Sequence, residues 1–303
     1  MASELPPFVS IVIPVLNDTE RLRRCLAALE AQTYPSNRYE VIVVDNGSDD
    51  DPQCLATEYA HAVFYKEPQR GSYAARNCGV AMAKGTAIGF TDSDCIAQPD
   101  WIEKGVAQLH SAPNIGIVGG KVEFFFNDGQ NPTAVELYDS IRNLQQEVCI
   151  NKVKFAVTAN LFTFREILQQ VGLFDAAVIS GGDRDWGQRV AAAGYDLIYG
   201  PDICVRHPAR RTLRELHQKT IRVMKGHHQW KSRLGYASYY LDLIRSIVLD
   251  LSPPVRFGLR LRKDQRVHGI RNKVKVLLVF MFEKYVRAWT RLRVQWAKAA
   301  AEK

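Results

Sequence analysis

The chain has 303 residues, of which 47% are apolar and 24% charged, a composition typical of a globular protein with a sizeable core. Its six cysteines are scattered without a C-x-x-C pair, which argues against a zinc ribbon or a disulfide framework and favours a reducing, cytoplasmic location. No apolar run approaches the ~20 residues of a membrane span, and no secretory signal is expected.

Charge is distributed unevenly along the chain. Residues 1–210 carry 18 basic and 26 acidic side chains, a net charge of −8, whereas residues 211–303 carry 22 and 6, a net charge of +16. An acidic first part and a basic second part predict two regions with different surfaces. The basic region favours an anionic partner, which could be nucleic acid, anionic lipid or a phosphorylated substrate.

Apolar β-branched runs alternate with helical patterns over residues 8–126. The predicted strands are FVSIVIPVLN, EVIVV, HAVFY, TAIGFTD and IGIVGGKVEFFF, and the predicted helices between them are DTERLRRCLAALEAQ, 52–60, GSYAARNCGVAMAKG and PDWIEKGVAQLHS. We expect Asp18 or Thr19 to cap the first helix, Gly85 to close the third, and Pro99 to lie in the first turn of the fourth. The alternation predicts an α/β fold with a mostly parallel sheet and helices on both faces.

The pattern becomes less regular after residue 126. The sequence predicts a helix over 132–148, an extended segment over 156–165, a helix in GGDRDWGQRVAAAG, and two short strands in DLIYG and ICVRH. Helices are then predicted over roughly 212–233, 236–251 and 266–298, with a break at 252–254. We therefore predict a domain over residues 1–210 and a basic helical extension over residues 211–303.

Three predicted strands end in acidic sequence, in PVLND, VDNGSDDD and TDSDC. Ligands of parallel sheets bind beyond the carboxyl ends of the strands, so these acids should gather at one edge. Asp92 and Asp94 are two residues apart and would point the same way from an extended chain. Their convergence favours a hard divalent cation, Mg²⁺ or Mn²⁺, and the alternative is a solvated turn whose acids cap the next helix. Asp45 could bind a base or ribose, or could close an Asx turn.

Five motifs then occur in order: VSIVIPVLNDTERLRRCLAAL, EVIVVDNGSDD, GSYAARNCGVAMAKG, FTDSDC and GGDRDWGQRVAAAGY. Together they resemble family 2 nucleotide-sugar glycosyltransferases with the GT-A fold, over roughly residues 8–210. The resemblance implies inverting transfer of a sugar from a nucleoside-diphosphate donor, most often UDP-linked, with Mg²⁺ or Mn²⁺. The acceptor would be a hydroxyl of a glycan or of a lipid-linked sugar.

The resemblance also implies residues that bind the nucleotide. Pro14 and Asp18 of PVLND would line the nucleotide pocket, and Asp45 would contact the base. Arg76 lies in the helix motif that braces the pocket, although it could instead be a structural partner for an acid. Asp92 matches the first acid of the D-x-D motif, near the ribose and the diphosphate.

Metal-ligating and catalytic residues follow from the same resemblance. Asp94 matches the direct metal ligand, and His207 in VRHP could complete the metal site or could be structural. Asp183 matches the catalytic base, which takes the proton of the acceptor hydroxyl as that hydroxyl attacks C1. The family commonly has Glu-Asp here, whereas this chain has Gly182-Asp183. Asp185 is a competing base, and Asp183 could merely cap its helix.

The last predicted helix, within residues 266–298, places apolar and basic residues on separate stripes. The apolar stripe is Val274, Leu277, Leu278, Met281, Tyr285, Trp289 and Leu292, and the basic stripe is Lys284, Arg287, Arg291 and Lys298. Such a helix favours peripheral binding to an anionic membrane surface on the cytoplasmic face. The alternatives are packing on its own domain and a homo-oligomer contact.

Two other functions are compatible with parts of the sequence. A nucleotidyltransferase also uses an acid pair on an α/β sheet, but PVLNDTE lacks the glycine-rich loop that would hold a triphosphate. A non-enzymatic nucleic-acid or membrane-binding protein could use the basic tail. Nucleic acid is disfavoured because the part of the chain that bears the motifs is acidic.

Overall fold

The computed structural model describes the backbone of residues 5–231 and 236–301 and the side chains of residues 5–229 and 241–295. The chain forms two compact units. The sheet unit comprises Met1–Phe124, Leu144–Ala177 and Gly182–Pro208. The helical unit comprises Phe125–Asn143, Val178–Gly181 and Ala209–Lys303. The division predicted at residue 210 stays a sequence-based prediction.

A mixed β-sheet forms the centre of the sheet unit. Within the described residues its strands are β1 (Val9–Val15), β2 (Tyr39–Asp45), β3 (Ala62–Lys66), β4 (Ala87–Thr91), β5 (Ile96–Ala97), β6 (Ile115–Phe125), β7 (Asn160–Phe164) and β8 (Asp196–Pro208). They lie in the order β3-β2-β1-β4-β7-β6-β8-β5. The pairs β3–β2, β2–β1 and β1–β4 are parallel, whereas β4–β7, β7–β6 and β8–β5 are antiparallel.

Helices connect the strands of the sheet unit and continue into the helical unit. They are α1 (Thr19–Glu30), α2 (Ser72–Met82), α3 (Trp101–Leu109), α4 (Ala134–Arg142), α5 (Gln146–Val148), α6 (Arg165–Val171), α7 (Gly182–Ala192), α8 (Leu213–Lys231), α9 (Tyr236–Leu251), α10 (Val255–Lys263) and α11 (Ile270–Ala301). The predicted α/β alternation is confirmed between β1 and β2 and between β3 and β4, and buried strand residues such as Ile11 and Val43 pack with the apolar stripe of α1 at Leu22 and Leu26. Between β2 and β3 the helix predicted over 52–60 is wrong, because only a short 3₁₀ helix, Pro52–Leu55, forms there.

Two predicted helix boundaries are wrong. Helix α2 ends at Met82 rather than at Gly85, because Ala83 is already extended, with ψ of 136°. A Cβ at Gly85 would lie 2.6 Å from the backbone nitrogen of Ser10, so this glycine permits a close approach to β1. Helix α3 begins at Trp101, so Pro99 precedes the helix instead of lying in its first turn.

Three further predictions differ from the observed elements. DLIYG and ICVRH form one strand, β8, and its ladder with β5 involves only Val205 and Arg206, so Pro201 interrupts no hydrogen bond with β5. The helix predicted over 132–148 is interrupted after α4, where Leu144 has a φ of 46°. Helix α10 was not predicted, because its short apolar stripe is set among four basic residues.

The helical unit has an apolar core of its own. Tyr138 of α4 is fully buried there with Leu216 of α8, Phe257 of α10 and Phe280 of α11. Asp139, also fully buried, accepts hydrogen bonds from the guanidinium and the backbone amide of Arg210. Across residues 5–231 and 236–301, no helix combines the length and the apolar composition needed to cross a bilayer.

Candidate active site

Two loops that follow β1 and β2 are joined by hydrogen bonds. The backbone amide of Asn17 donates to Oγ of Ser48 (2.9 Å), and the Asn17 side chain exchanges two hydrogen bonds with Asp49. Asn17 has a φ of 51°, in the left-handed region that asparagine enters more readily than most residues. The loop after Pro14 is thereby fixed to the loop after Asp45.

Pro14 lies in β1 opposite Val44 of β2. The ladder between β1 and β4 ends earlier, at the pair of Val12 and Phe90. Proline has no backbone N–H and can donate no hydrogen bond to a neighbouring strand. It is tolerated at this position because the pairing of β1 with β4 has already ended. Pro14 therefore lies just beyond the end of the ladder between β1 and β4.

Asp45 is the last residue of β2 and is 7% exposed. Its Oδ1 accepts a hydrogen bond from the backbone amide of Ser48 (2.8 Å), three residues later, so the carboxylate closes the Asn-Gly-Ser turn in the manner of an Asx-type turn. A small surface cleft is lined by Asp45 together with Pro52, Gln53, Phe64, Tyr65 and Lys66. Because a carboxylate has two oxygens, the turn and a ligand contact are compatible.

Asp18 occupies the position before α1 but does not cap the helix. Its Oδ1 lies 2.6 Å from Nε of Arg21, and its Oδ2 accepts a hydrogen bond from Oγ of Ser93 (3.1 Å). Burial raises the pKa of Asp18, although Arg21 opposes that change. The guanidinium of Arg21 also lies 3.7 Å from Oδ2 of Asp94. The capping prediction for Asp18 is therefore wrong, and its carboxylate is directed at the D-x-D segment instead.

Asp92 follows β4 and forms an ion pair with Arg76 of α2. A terminal nitrogen of Arg76 lies 2.5 Å from Oδ1 of Asp92, and the Arg76 residue is only 4% exposed. The other terminal nitrogen faces the backbone oxygen of Ser72 (3.4 Å). Nε of Arg76 is buried and has no hydrogen-bond partner within the described part of the chain. This pair matches the alternative in which Arg76 is the structural partner of an acid.

Asp94 lies beside His207 of β8. The His207 Nδ1 is 2.7 Å from the Pro208 carbonyl oxygen, which can only accept, so Nδ1 carries a proton. In the neutral imidazole, the Nε2 lone pair then faces Oδ1 of Asp94 at 3.5 Å. A lone pair and a carboxylate at this separation are stabilised by a cation between them.

The sulfur of Cys95 completes this group. One ligand atom each from Asp94, Cys95 and His207 lie within 4.8 Å of one another. Oxygen, nitrogen and sulfur donors so close together fit a divalent metal ion chemically. These residues are therefore suited to hold a metal, with Asp94 and His207 as the ligands anticipated from the sequence.

Asp183 lies in the first turn of α7 and is half-buried. Its Oδ1 accepts hydrogen bonds from the hydroxyl of Tyr73 (3.2 Å) and from the backbone amide of Arg184 (2.9 Å). Burial raises the pKa of Asp183, while Arg76 and the two hydrogen bonds lower it, and the charge of Asp92 raises it. A carboxyl with a raised pKa is a stronger base than an ordinary aspartate.

The packing around Gly182 gives a physical reason for the absence of the glutamate that the resembled family commonly has at this position. A Cβ at Gly182 would lie 2.8 Å from the ring of Tyr73, closer than real Cβ contacts come. The Tyr73 ring therefore occupies the space that a side chain at residue 182 would need. The departure from Glu-Asp is coupled to the tyrosine that hydrogen-bonds to Asp183.

The neighbours of Asp183 on α7 have other partners. Asp185 pairs with Arg189 one turn later, with 3.1 Å between Oδ2 and Nε. Trp186 is fully buried, and its indole donates to the Gly172 carbonyl oxygen (2.9 Å). Of the two carboxylates proposed as base, Asp183 is thus the one whose contacts lead to Arg76 and the acid pair.

Contacts within the sheet unit join most of the predicted residues into one cluster. Asp18, Ser93, Asp94 and His207 are linked by the contacts above, and the Arg76 charge acts on both Asp92 and Asp183. Asp45 and Pro14 lie at the adjoining strand ends.

Four residues of this cluster were missed from the sequence: Arg21, Tyr73, Ser93 and Cys95. The spacing of Asp18 and Arg21, three residues apart at a helix start, could have indicated the first. Tyr73 lies inside the motif GSYAARN, and Cys95 directly follows DSD. Neither a tyrosine nor a cysteine at these positions indicates a functional residue from the sequence alone.

Comparison with known proteins was made for the sequence and for the fold. The sequence profile of Glycosyl transferase family 2 matches residues 10–172. Glycosyltransferase AglE of Haloferax volcanii is 42% identical over 234 residues, which are 76% of this chain and 75% of that protein. The pre-mycofactocin glycosyltransferase of Mycobacterium tuberculosis strain H37Rv is 30% identical over 215 residues, 68% of this chain and 44% of that protein.

Among solved structures, the fold is similar to that of a mannosyltransferase from Pyrobaculum calidifontis, solved in complex with GDP-Man and Mn²⁺. The TM-score is 0.62 with 17% sequence identity, over 94% of this chain and 88% of the other. This similarity confirms the predicted GT-A type α/β fold. The extent of the profile match and the identity to AglE establish that the chain belongs to glycosyltransferase family 2 and is a glycosyltransferase.

Proposed function

We propose that this glycosyltransferase moves a sugar, with inversion at C1, from a nucleoside-diphosphate donor to a hydroxyl of a glycan or lipid-linked acceptor, and that it requires Mg²⁺ or Mn²⁺. The observation that carries the proposal is the cluster of Asp92, Asp94, Asp183 and His207 in the sheet unit, with Arg76 between the acid pair and the base. Because the chain belongs to a glycosyltransferase family, this function is favoured over a nucleotidyltransferase and over a non-enzymatic binding protein.

Asp183 is proposed as the catalytic base. Its carboxylate accepts the proton of the acceptor hydroxyl as the acceptor oxygen bonds to C1 of the sugar and the bond from C1 to the diphosphate oxygen breaks. Tyr73 and the Arg184 amide both donate to Oδ1, which holds the carboxylate in place. The oxygen that faces the acceptor in this scheme is Oδ2.

Asp94 and His207 would hold the divalent metal, which when bound offsets the negative charge of the departing diphosphate. Asp92, oriented by Arg76, would contact the ribose and diphosphate. Asp45 would contact the base beside the cleft at the end of β2. Pro14 and Asp18 would line the nucleotide pocket at the adjoining end of β1. UDP is the expected nucleotide from the sequence, while the structurally similar mannosyltransferase binds GDP-Man.

Metal dependence and the site assignment are tested together by substitution. We expect transfer and donor hydrolysis to collapse in Asp94→Ala and upon addition of EDTA, and Asp183→Asn to slow transfer by about 10²–10⁴-fold. Asp202→Asn, a change at an exposed acid on β8 of the same unit, is the matched control. Full activity of Asp94→Ala in the presence of EDTA would refute the metal assignment.

The donor can be identified without knowing the acceptor. A thermal-shift panel of UDP-, GDP- and dTDP-sugars, each with and without Mn²⁺, should reveal one nucleotide that raises the melting temperature in a metal-dependent manner, because a ligand of the folded state stabilises it. Anomeric analysis of the product by NMR then tests inversion. A product that keeps the donor configuration would contradict it.

We further propose that the helical unit binds an anionic membrane surface. Large apolar side chains are exposed on its last three helices, among them Leu241 (72% exposed) on α9, Val255 (63%) and Leu259 (62%) on α10, and Leu278 (57%) and Tyr285 (64%) on α11. Exposed basic residues accompany them: Arg256, Arg260, Lys263, Arg271 and Lys275. Such a combination suits binding at an anionic lipid interface.

The three residues of the predicted basic stripe whose side chains the structure describes do not contribute to this surface. Lys284 is 7% exposed and donates to the Ser252 carbonyl oxygen (2.6 Å), while Arg287 and Arg291 each lie 3.1 Å from the carboxylate of Asp250. Lys298 lies outside the described side chains. The stripe therefore packs α11 on α9, which was the alternative considered from the sequence.

Vesicle co-sedimentation tests the membrane proposal. Vesicles with phosphatidylglycerol should sediment the protein and purely zwitterionic vesicles should not, and the double variant Leu278→Ser/Tyr285→Ser should weaken the binding. Val63→Ser, at an apolar residue of β3 that is 41% exposed, is the control. If the wild type stays in the supernatant and light scattering gives a stable dimer, the apolar surface is an oligomer contact instead.

A further inference from the structure

A cysteine lies among the oxygen and nitrogen ligands expected for the metal. Oδ1 of Asp94 is 3.5 Å from Nε2 of His207 and 4.0 Å from Sγ of Cys95, and the three ligand atoms lie within 4.8 Å of one another. Cys95 and His207 are both buried, at 1% and 6% exposure. A solvent-facing thiol could turn away, whereas this one is held near the other two ligands by the packing around it.

The separations of 3.5 and 4.0 Å from Oδ1 of Asp94 are close to those in a tetrahedral site. Zn²⁺ binds sulfur at about 2.3 Å, nitrogen at about 2.0 Å and carboxylate oxygen at about 2.0–2.2 Å, which places the ligand atoms roughly 3.3–3.6 Å apart. Small side-chain rotations would bring the observed distances into that range. The hydrogen bond from Nδ1 of His207 to the Pro208 carbonyl already orients Nε2 as a ligand.

The thiol changes which cations the site prefers. Mg²⁺ and Mn²⁺ favour oxygen ligands, whereas a set of one carboxylate, one imidazole and one thiolate suits zinc and other thiophilic cations. A site that must bind a hard cation for catalysis gains no affinity from sulfur. Cys95 would therefore strengthen the binding of a competing metal and not of the catalytic one.

We propose that Asp94, Cys95 and His207 form a binding site for a thiophilic divalent cation of the zinc class, which competes with Mg²⁺ or Mn²⁺ and inhibits transfer. The inference rests on the proposed function, since it places the competitor on two of the ligands assigned there. On binding, the cation takes the place of the Cys95 thiol proton, which passes to solvent, and a sulfur–metal bond forms with no change of oxidation state.

A second buried cysteine provides a matched control. Cys25 is also 1% exposed and also lies near the acid pair, but its thiol is 3.6 Å from the backbone oxygen of Asp92. It does not belong to the group formed by Asp94, Cys95 and His207. Cys25→Ser therefore removes a buried thiol from the same region and leaves the proposed site intact.

The test uses the whole 303-residue chain, stripped of metal and titrated with Cd²⁺ and Co²⁺ as spectroscopic substitutes for Zn²⁺. The wild type and Cys25→Ser should each gain the ultraviolet charge-transfer band of one thiolate–metal bond and the visible spectrum of four-coordinate Co²⁺. Cys95→Ser should lose both, and its affinity for Zn²⁺ should fall by about tenfold or more, since even the loss of an outer-shell contact costs 10–100-fold.

A parallel titration follows Mn²⁺ by the electron paramagnetic resonance signal of the free ion. Zn²⁺ should release bound Mn²⁺ from the wild type at concentrations about tenfold or more lower than from Cys95→Ser, in proportion to the lost affinity. If Cys95→Ser does not fold, Cys95→Ala takes its place. A wild-type Co²⁺ spectrum without a thiolate band would overturn the proposal without any variant, whereas a band must be assigned to Cys95 by its loss in one of these two variants.

Two results would overturn the proposal, and they differ in meaning for the enzyme. If Mn²⁺ binds but Cd²⁺ and Co²⁺ give no thiolate band, or give one that persists in Cys95→Ser, the thiophilic site is wrong and the proposed function stands. If Mn²⁺, Cd²⁺ and Co²⁺ all fail to bind the wild type, both the thiophilic site and the proposed metal ligands are wrong.

Discussion

The hydroxyl of Tyr73 donates a hydrogen bond to Oδ1 of Asp183 over 3.2 Å, joining the first turn of α2 to the predicted base 110 residues later. Because the hydrogen bond stabilises the carboxylate, it lowers the pKa of Asp183, against the larger effect of burial. Tyr73 and Asp183 therefore set the basicity of the site together.

Replacement of Tyr73 by phenylalanine should shift the pH dependence of transfer. Loss of the hydrogen bond raises the pKa of Asp183 further, so the acidic limb of kcat/KM should move to higher pH. A hydrogen bond to a charged group contributes about 1.5–3 kcal/mol, so its loss should be visible in the pH profile. An unchanged acidic limb in Tyr73→Phe would show that Asp183 is not the titrating base.

Asp183→Asn should inactivate the enzyme and stabilise the fold. A carboxyl whose pKa is raised by folding contributes stability below its unfolded pKa, and that contribution is lost as pH rises through the folded pKa. The amide avoids this loss and can still accept from Tyr73 and Arg184. We expect a gain on the order of 1 kcal/mol at neutral pH, measured by urea unfolding. The gain should vanish in acid, where the wild-type carboxyl is protonated.

Gly182→Ala should damage the site through Tyr73. The added methyl group would lie 2.8 Å from the Tyr73 ring, and relieving that overlap costs about 1–3 kcal/mol or displaces the ring from Asp183. In a Tyr73→Ala background the same substitution should cost much less. A double-mutant cycle of unfolding free energies measures this coupling, and equal costs in the two backgrounds would contradict it.

The ion pair between Arg76 and Asp92 should contribute strongly to stability. Removal of one partner of a buried pair costs about 3–5 kcal/mol, and the partial exposure of Asp92, at 34%, places Arg76→Met near the lower end. Arg24→Met, which breaks an exposed pair with Glu20, should change the stability by less than about 0.5 kcal/mol. Chemical unfolding of both variants checks the difference. Similar losses in the two variants would exclude a special role for Arg76.

Lys219 should make stability depend on pH above neutrality. Burial, helped by the neighbouring Arg210, lowers the pKa of this lysine to about 8. Between that value and the ordinary lysine pKa, about 10.4, the unfolded chain binds more protons than the folded one, so stability should rise with pH. Lys219→Met should remove on the order of 1–3 kcal/mol of that rise. Parallel slopes for the two proteins would show that Lys219 titrates normally.

The alternation of apolar runs and helical patterns in the sequence predicted strands β1–β4 and their parallel pairing. Strands β1–β4 are apolar runs between recognisable helices, and the parallel ladder follows from their alternation. Asp92 and Asp94 could be located because they directly follow an apolar run that predicts a parallel strand. The carboxyl end of such a strand is where an α/β sheet binds its ligand. The antiparallel insertion of β7 between β4 and β6 pairs segments more than 40 residues apart, and no local pattern specifies such a pairing.

The parts of the site that no local sequence pattern specifies depend on contacts between distant segments. His207 meets Asp94 because β8 runs unbroken past Gly200 and Pro201, two residues that normally indicate a turn. The Tyr73 ring excludes a side chain from Gly182, which the sequence alone presented only as a departure from the family pattern. In both cases the deciding quantity is a distance of a few ångströms between residues about 110 positions apart.

The discontinuous make-up of the helical unit limits how the protein can be shortened. A chain cut after Pro208 would keep α4 but lose α8, α10 and α11, which pack on Tyr138, and Arg210, which forms the ion pair with the fully buried Asp139. The fragment would present an apolar helix and an unpaired carboxylate to solvent. We therefore expect truncated versions that omit the basic tail to aggregate unless residues 125–143 are redesigned as well, and loss of activity in such a fragment would not locate any catalytic residue in the tail.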